Sequence, residues 1–324
     1  MLRPQFLVLA DRKDVTEQIK DRLIFFSLAD RAGTKSDELT ITVDDRDDVV
    51  VMPRKGAVLD VRLGYKQTGL SRMGIYTADE VSHSGPPATL TIKAKAADMR
   101  QCLKVRKTRS WDNTTLGEIV SIIASEHGSV PAISPTLASV PIGHVDQTDE
   151  SDMHLLTRLA KDHDAVFKPA SDHLILAQRG ETKTVTGKTI PPVALEASQI
   201  TRWTLSAPDR GKYQSVIAHW HNPNAAELMS VTIGQGDPVY TLPGSFPDQN
   251  RARAAAEGKL KSLTRGKATL RLTTIGNPAL MAEAPLKVSG LSTKVDGQWL
   301  ITAVDHKIDS QSGYICNVSA EFAL

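Results

Sequence analysis

One hairpin is written twice in this chain, and the repetition restricts the fold more than any other feature. Gly74–Ala96 reads GIYTADEVSHSGPPATLTIKAKA, and Gln298–Phe322 reads QWLITAVDHKIDSQSGYICNVSAEF. Each opens on a short apolar run that reaches Thr-Ala, at Thr77-Ala78 and Thr302-Ala303. Each then crosses a polar stretch holding one histidine (His83, His306), turns at a glycine (Gly85, Gly313) and returns on a strand of alternating polarity. Alternation with a period of two is the mark of a half-buried strand. The closing stretch is therefore expected to rebuild what the opening hundred residues build.

The rest of the chain fits that expectation. Leu39, Ile41 and Val43 alternate with Thr40, Thr42 and Asp44, and the run DDRDD (Asp44–Asp48) reads as a solvated hairpin tip. Leu59, Val61, Leu63 and Tyr65 share a face opposite Asp60 and Arg62, while Leu90, Ile92, Ala94 and Ala96 oppose Thr91, Lys93 and Lys95. At the far end Tyr314, Cys316, Val318, Ala320 and Phe322 share a face. Short strands separated by turn signals predict a small antiparallel barrel or sandwich.

Between the ends the period changes. Leu116, Ile119, Val120 and Ile123 fall at helical spacing, with Thr115 and Glu118 as a capping box and Gly128 as a stop. Pro131–Gly143 reads as irregular or extended. A second helix carries Leu155, Leu156 and Leu159, capped by Ser151 or Asp149, before a hairpin turning at Ala170–Asp172. A longer helix follows Asp248, with Ala252, Ala255, Ala256, Leu260 and Leu263 facing inward. The fold class is thus a β-rich α+β chain with two similar antiparallel β-barrel domains. The expected boundaries are 1–102 for the first barrel, 103–198 for a mixed α/β insert and 199–324 for the second barrel, which carries the helix 248–266.

At 324 residues and 40% hydrophobic content the chain is long enough for two or three cored domains. Aromatics make up only 5%, too few for a sugar-binding platform or a base-stacking surface. The formal charge is +2, from 39 basic and 37 acidic residues, which argues against specific nucleic-acid binding by phosphate neutralisation. Cys102 and Cys316 lie far apart and support neither a disulfide framework nor a zinc knuckle, so Cys316 reads as a buried thiol. The apolar run Phe6–Ala10 is too short for a signal-peptide core or membrane segment. We therefore expect folding in the bacterial cytoplasm.

No catalytic constellation emerges. His219 and His221 flank Trp220 on one strand face, a spacing open to a metal, but a third ligand at sensible spacing is missing. His154 and His163 are too far apart around a helix to act together, and His173 lies in the following hairpin. Asp149, Glu150 and Asp152 cluster where a helix dipole favours acids. The glycine-rich Ile233–Pro238 lacks the Lys-Ser/Thr and helix of a phosphate loop. The expectation is no enzyme, with no catalytic, cofactor-binding or metal residues and no cofactor.

A family resemblance rests on many segments in series. These include DVTEQIKDRLIFFSLAD, GAVLDVRLGY, MGIYTADEVSHSGPP, RSWDNTTLGEIVSIIASEHG, DESDMHLLTRLAKDHDAVF and VDGQWLITAVDHKIDSQSGYICNVSAEF. In this order the chain resembles the phage late control gene D proteins, the baseplate hubs of contractile tails, which are related in fold to the N-terminal half of VgrG spike proteins. The resemblance implies a homotrimer in which two like barrels per chain give pseudo-sixfold symmetry between a hexameric tail tube and a trimeric spike. Implied partners are the tail spike protein, a tail tube or tube-initiator protein, and tape-measure and other baseplate proteins. The particle would be an infectious phage or an R-type bacteriocin, with the protein ending in its baseplate. Thr40, Thr42, Asp60 and Arg62 are candidates for the lumen or the exposed surface. The alternatives are a tail-associated peptidoglycan hydrolase working through Glu150 and a cell-wall-binding module around Trp111–Gly128.

Overall fold

The computed structural model describes residues 2–33, 36–96, 101–170, 173–180, 190–207, 213–222, 225–265 and 268–322. In chain order the first elements are β1 (Pro4–Ala10), β2 (Lys13–Asp14), α1 (Thr16–Lys20), β3 (Leu23–Arg31), β4 (Glu38–Asp44), β5 (Val58–Tyr65), β6 (Gly69–Ser84) and β7 (Thr89–Ala96). The middle holds β8 (Arg106–Thr115), α2 (Leu116–Glu126), β9 (Val130–Ile133), α3 (Pro135–Ala138), β10 (Pro141–Ser151), α4 (Asp152–Asp162), β11 (Ala165–Ala170) and β12 (His173–Gln178). Then come β13 (Val193–Glu196), β14 (Ile200–Ser206), β15 (Ser215–Asn222), β16 (Glu227–Gly234), β17 (Val239–Phe246) and α5 (Gln249–Arg265). The last strands are β18 (Thr269–Ile275), β19 (Pro285–Ser289), β20 (Gly297–Asp309) and β21 (Gly313–Phe322). The chain is β-rich α+β. Among the described residues no helix is long and apolar enough to cross a membrane.

These elements form two compact units. The first comprises Met1–Met99, Pro192–Thr204 and Leu270–Ala320, so it takes strands from both ends of the chain. They form one 13-stranded sheet in the order β14-β18-β21-β20-β3-β4-β7-β6-β5-β1-β2, with β19 on β20 and β13 on β19. Alternation places the core: Leu39, Ile41, Val43, Leu59, Val61, Leu63, Leu90 and Ala94 are buried at one end, and Leu270, Leu272, Leu286, Val288, Tyr314, Cys316, Val318 and Ala320 at the other. Phe322, the last residue of β21, is half exposed rather than buried like the other apolar residues of its face. The DDRDD run is not a hairpin tip either. β4 pairs with β3 and β7 rather than β5, and Asp45 is buried, its carboxylate accepting from Val50 N at 2.9 Å and lying 3.3 Å from His83 Nε2.

The second unit comprises Arg100–Pro191, Leu205–Thr269 and Glu321–Leu324. Helices α2 and α4 supply one apolar core, in which Leu116, Ile119, Ile123, Leu155, Leu156 and Leu159 are fully buried. Thr115 caps α2 through a reciprocal capping box with Glu118, and Ser151 caps α4 by accepting from His154 N at 3.2 Å. Pro131–Gly143 is more ordered than its prolines imply. It contains β9, which runs parallel to β12, and the short α3, whose Pro135 occupies a first-turn position that needs no N–H.

Helix α5 and the β16-β15-β17 sheet cluster with this unit, whereas the sequence reading grouped them with the closing strands. The reason lies in side chains remote in sequence. Asp248 caps the helix by accepting from Arg251 N at 2.9 Å, and Ala252 and Ala256 pack on Val216, Ala218 and Val231. Buried Arg265 at its end grips buried Asp164 with both terminal guanidinium nitrogens, Nη1 lying 2.9 Å from Oδ2. A side chain at Gly258 would come within 3.1 Å of Asp164 N, so that close approach favours glycine. The side chain of Cys102, the turn residues Ser171 and Asp172, and Gly266 at the expected helix end lie outside the described residues.

Candidate functional site

The repeated hairpin belongs to a larger repeat. Strands β3 to β7 lie in the spatial order β5-β6-β7-β4-β3, and β14, β18, β19, β20 and β21 lie in the order β19-β20-β21-β18-β14. Taken in chain order, each strand of the first set has a counterpart at the same place in the second. The two sets differ in one connection. A short link joins β3 to β4, whereas the link from β14 to β18 carries β15–β17 and α5.

Backbone hydrogen bonds fix the equivalence residue by residue. Gly56 N donates to Ala78 O at 2.8 Å, and Ala78 N donates to Ala57 O at 2.9 Å. In the second set Glu283 N donates to Ile301 O at 2.8 Å, and Ile301 N donates to Ala284 O at 3.0 Å. Gly56 and Glu283 both hold a left-handed backbone, at φ 80° and 65°. Ala78 thus corresponds to Ile301. Two residues earlier, Tyr76 pairs with Leu59 and Trp299 with Leu286, all four buried. Five residues later, His83 corresponds to His306. The expected histidine match therefore holds, but the Thr-Ala match is shifted by two, since Thr302-Ala303 fall where Asp79-Glu80 stand.

The two corners have opposite environments. His306 is fully buried; Nε2 lies 3.2 Å from the Leu280 carbonyl, while Nδ1 lies 2.9 Å from the Tyr314 hydroxyl and 3.2 Å from Cys316 Sγ. That network fits a neutral imidazole carrying its proton on Nε2 and accepting at Nδ1. Burial pushes its pKa down to about 4. Burial likewise pushes the Cys316 thiol up to about 12, keeping it a thiol. His83 is instead exposed beside Asp45.

A strand makes that difference. β3 pairs antiparallel with β20 from Ala303↔Arg31 to Asp309↔Phe25, on the edge opposite β21. It buries Phe26 and Leu28, pairs Arg31 with Asp305 at 2.5 Å, and holds the β18–β19 loop through Asp30, which accepts from Ala282 N at 2.8 Å. On β6 the corresponding stretch, Asp79–Ser84, pairs only with β7 among the described residues. The β4–β5 loop beside it exposes Val49, Val51 and Met52 at 59%, 88% and 53%. Among the described residues strand β14, the counterpart of β3, pairs only with β18, has no buried residue and exposes Trp203.

The residues weighed for chemistry fall elsewhere. His219 and His221 sit on β15 opposite Ser230 and Leu228, and the structure brings no carboxylate or thiol into a cluster with them among the described residues. His154 and His163 stand at opposite ends of α4, as their spacing requires. Asp149 pairs with Arg106 at 2.6 Å and Glu150 with Arg158 at 2.7 Å. Burial would raise the Glu150 carboxyl, but Arg158 and His154 outweigh it and hold the group ionised below its ordinary range. Asp152 is fully buried and meets Lys107 at 2.6 Å, His127 at 2.7 Å, and Arg109 and Gln147 at 2.8 Å each. Reading by spacing missed this network because its partners come from β8, α2 and β10. Thr42 meets Thr91 at 3.1 Å, and Asp60 pairs with Arg72 at 3.1 Å, on the polar faces expected of them.

Residues 36–312 match the family model of the phage tail baseplate hub (GPD). The probable baseplate hub protein of Escherichia phage 186 is 31% identical over 366 residues, spanning 100% of this chain and 94% of the relative. The 43 kDa tail protein of prophage MuSo2 from Shewanella oneidensis has a similar fold, with a TM-score of 0.73 at 15% identity over 98% of each chain. A chain of the Francisella PdpA–VgrG complex gives a TM-score of 0.59 at 8% identity, covering 99% of this chain and 58% of that one.

Proposed function

This chain belongs to the phage tail baseplate hub family, and from that premise we propose that it works as a homotrimer joining a hexameric tail tube to a trimeric spike. It is a structural component of a tail particle. The observation that carries the trimer is the strand order used twice in one chain. Three copies then present six equivalent strand sets, and a rotation of about 60° from set to set closes a ring of heterologous contacts. One end of such a ring can meet a sixfold tube and the other a threefold spike.

The two barrel-like domains of this reading are the front and rear strand sets, with the α/β insert between them in sequence. Their polar faces, including Thr40, Thr42, Asp60 and Arg62, would line the channel or its outer wall. A charge of only +2 lets DNA or a tape-measure protein pass without strong phosphate contacts. Glu150, held as a carboxylate by Arg158, is not poised to donate a proton, which favours a structural role over cell-wall hydrolysis. Assembly would take place in the bacterial cytoplasm. Light scattering tests the reading: three chain masses are expected, alone or with the spike protein added, and monomers under both conditions would refute it.

A further inference from the structure

We propose that β14 of one copy adds as an antiparallel strand to the outer edge of β6, Asp79–Ser84, in the next copy, and that this junction closes the ring. The inference rests on the trimer reading and says which edges meet. The chain already contains one such junction, β3 on β20. β6 is the counterpart of β20 with the same edge open, and β14 is the counterpart of β3 with one edge open. Within one chain the pattern is half completed. A second copy of the same chain supplies the missing strand and offers its own open edge in turn, which is the condition for a closed ring.

Two observations support this occupant. Unpaired strand edges in soluble proteins are normally shortened, charged or covered, because they invite other chains. Here β14 stays open while showing Trp203 at 41% exposure. The β4–β5 loop beside the open edge exposes Val49, Val51 and Met52, while its counterpart, the β18–β19 loop, is fastened by Asp30 of β3 and buries Leu280 and Ala284. An added β14 would cover the first loop as β3 covers the second. The charges do not oppose it: exposed Arg202 on β14 would approach Asp79 and Glu80 on β6, which already pair with Lys95 at 2.9 Å and Lys93 at 3.2 Å.

The junction in hand also shows which backbone groups would be used. Ala32 N donates to Thr302 O at 2.9 Å, so with antiparallel alternation Val304, His306 and Ile308 direct their N–H and C=O groups toward β3. Val81 and His83 hold the places of Val304 and His306, and their backbone groups point away from β7. A proline at residue 81 therefore removes a donor that only the neighbouring copy would use, at a position where an edge strand tolerates it.

The test compares the full-length chain with Val81→Pro by light scattering, with circular dichroism and thermal melting as checks on folding. We expect three chain masses for the parent and one for a folded Val81→Pro. A folded Val81→Pro that stays trimeric overturns the β14–β6 junction and leaves the trimer standing. A parent found only as monomer, with or without spike protein, removes both. Should Val81→Pro fail to fold, cross-linking decides. Chains carrying Ser82→Cys are mixed with chains carrying Thr201→Cys, Arg202→Cys, Trp203→Cys or Thr204→Cys, all in a Cys102→Ser background. A covalent dimer on oxidation with at least one partner is expected; none with any of the four, in a trimeric parent, rejects the junction.

Discussion

Two corners of the same design, one at Ala78 on β6 and one at Ile301 on β20, share their hydrogen bonds, their left-handed turn residue and a histidine five residues on. Around Ile301 the loop is held by β3 and His306 is buried; around Ala78 the loop exposes Val49, Val51 and Met52, and His83 is exposed. A covering strand separates the two states. The difference teaches that the β6 corner is complete in its backbone and incomplete in its neighbours, as expected of a surface made for another copy.

The largest effect should come from the strand that does the covering. Phe26→Ala empties a fully buried site on β3 and should cost about 3–5 kcal/mol in urea unfolding. Trp203→Ala on β14 should cost under about 1 kcal/mol in the separated chain, where the indole is exposed. Equal costs in monomers would erase the contrast.

Acid should act next, and at one corner only. His306 is held neutral with its pKa lowered to about 4, below the unfolded value near 6.5. Its contribution to stability is therefore complete above pH 6.5 and is lost as the pH falls toward 4, where the unfolded chain binds the proton first. The loss should be on the order of 3 kcal/mol. Unfolding free energies of the parent and His306→Gln, taken across that window, should differ in slope; parallel curves would mean that the imidazole is not the titrating group.

The turn residues give the smallest and most symmetrical test. Gly56→Ala places a side chain on a left-handed backbone and should cost roughly 1–2 kcal/mol, although the space around it is open. Glu283→Gly relieves the same strain and should raise the thermal midpoint by a few degrees, for about 1 kcal/mol. Changes of the same sign at both would show that the corners are not equivalent.

Much of this was legible in the sequence because strand alternation and helix periodicity are local. Leu39, Ile41 and Val43, the Thr115–Glu118 box and the inward alanines of α5 needed no knowledge of distant residues. The exact register was harder to read. Apolar alternation looks alike when slid by two, so Thr302-Ala303 was matched to Thr77-Ala78 although the hydrogen bonds put Ile301 opposite Ala78 in the repeat. Long-range fastening was not readable at all. Asp45 sits in an acidic run yet is buried against His83, and Arg265 ties α5 to Asp164 across many residues. Neither contact leaves a mark in the residues beside it.

Averaged electron micrographs of the purified protein test the central claim most directly. If the two strand sets are equivalent and three chains close through them, end-on views should show a threefold ring of six similar lobes around an open axis. Single particles of one chain, or rings whose lobes alternate between two unlike shapes, would contradict it.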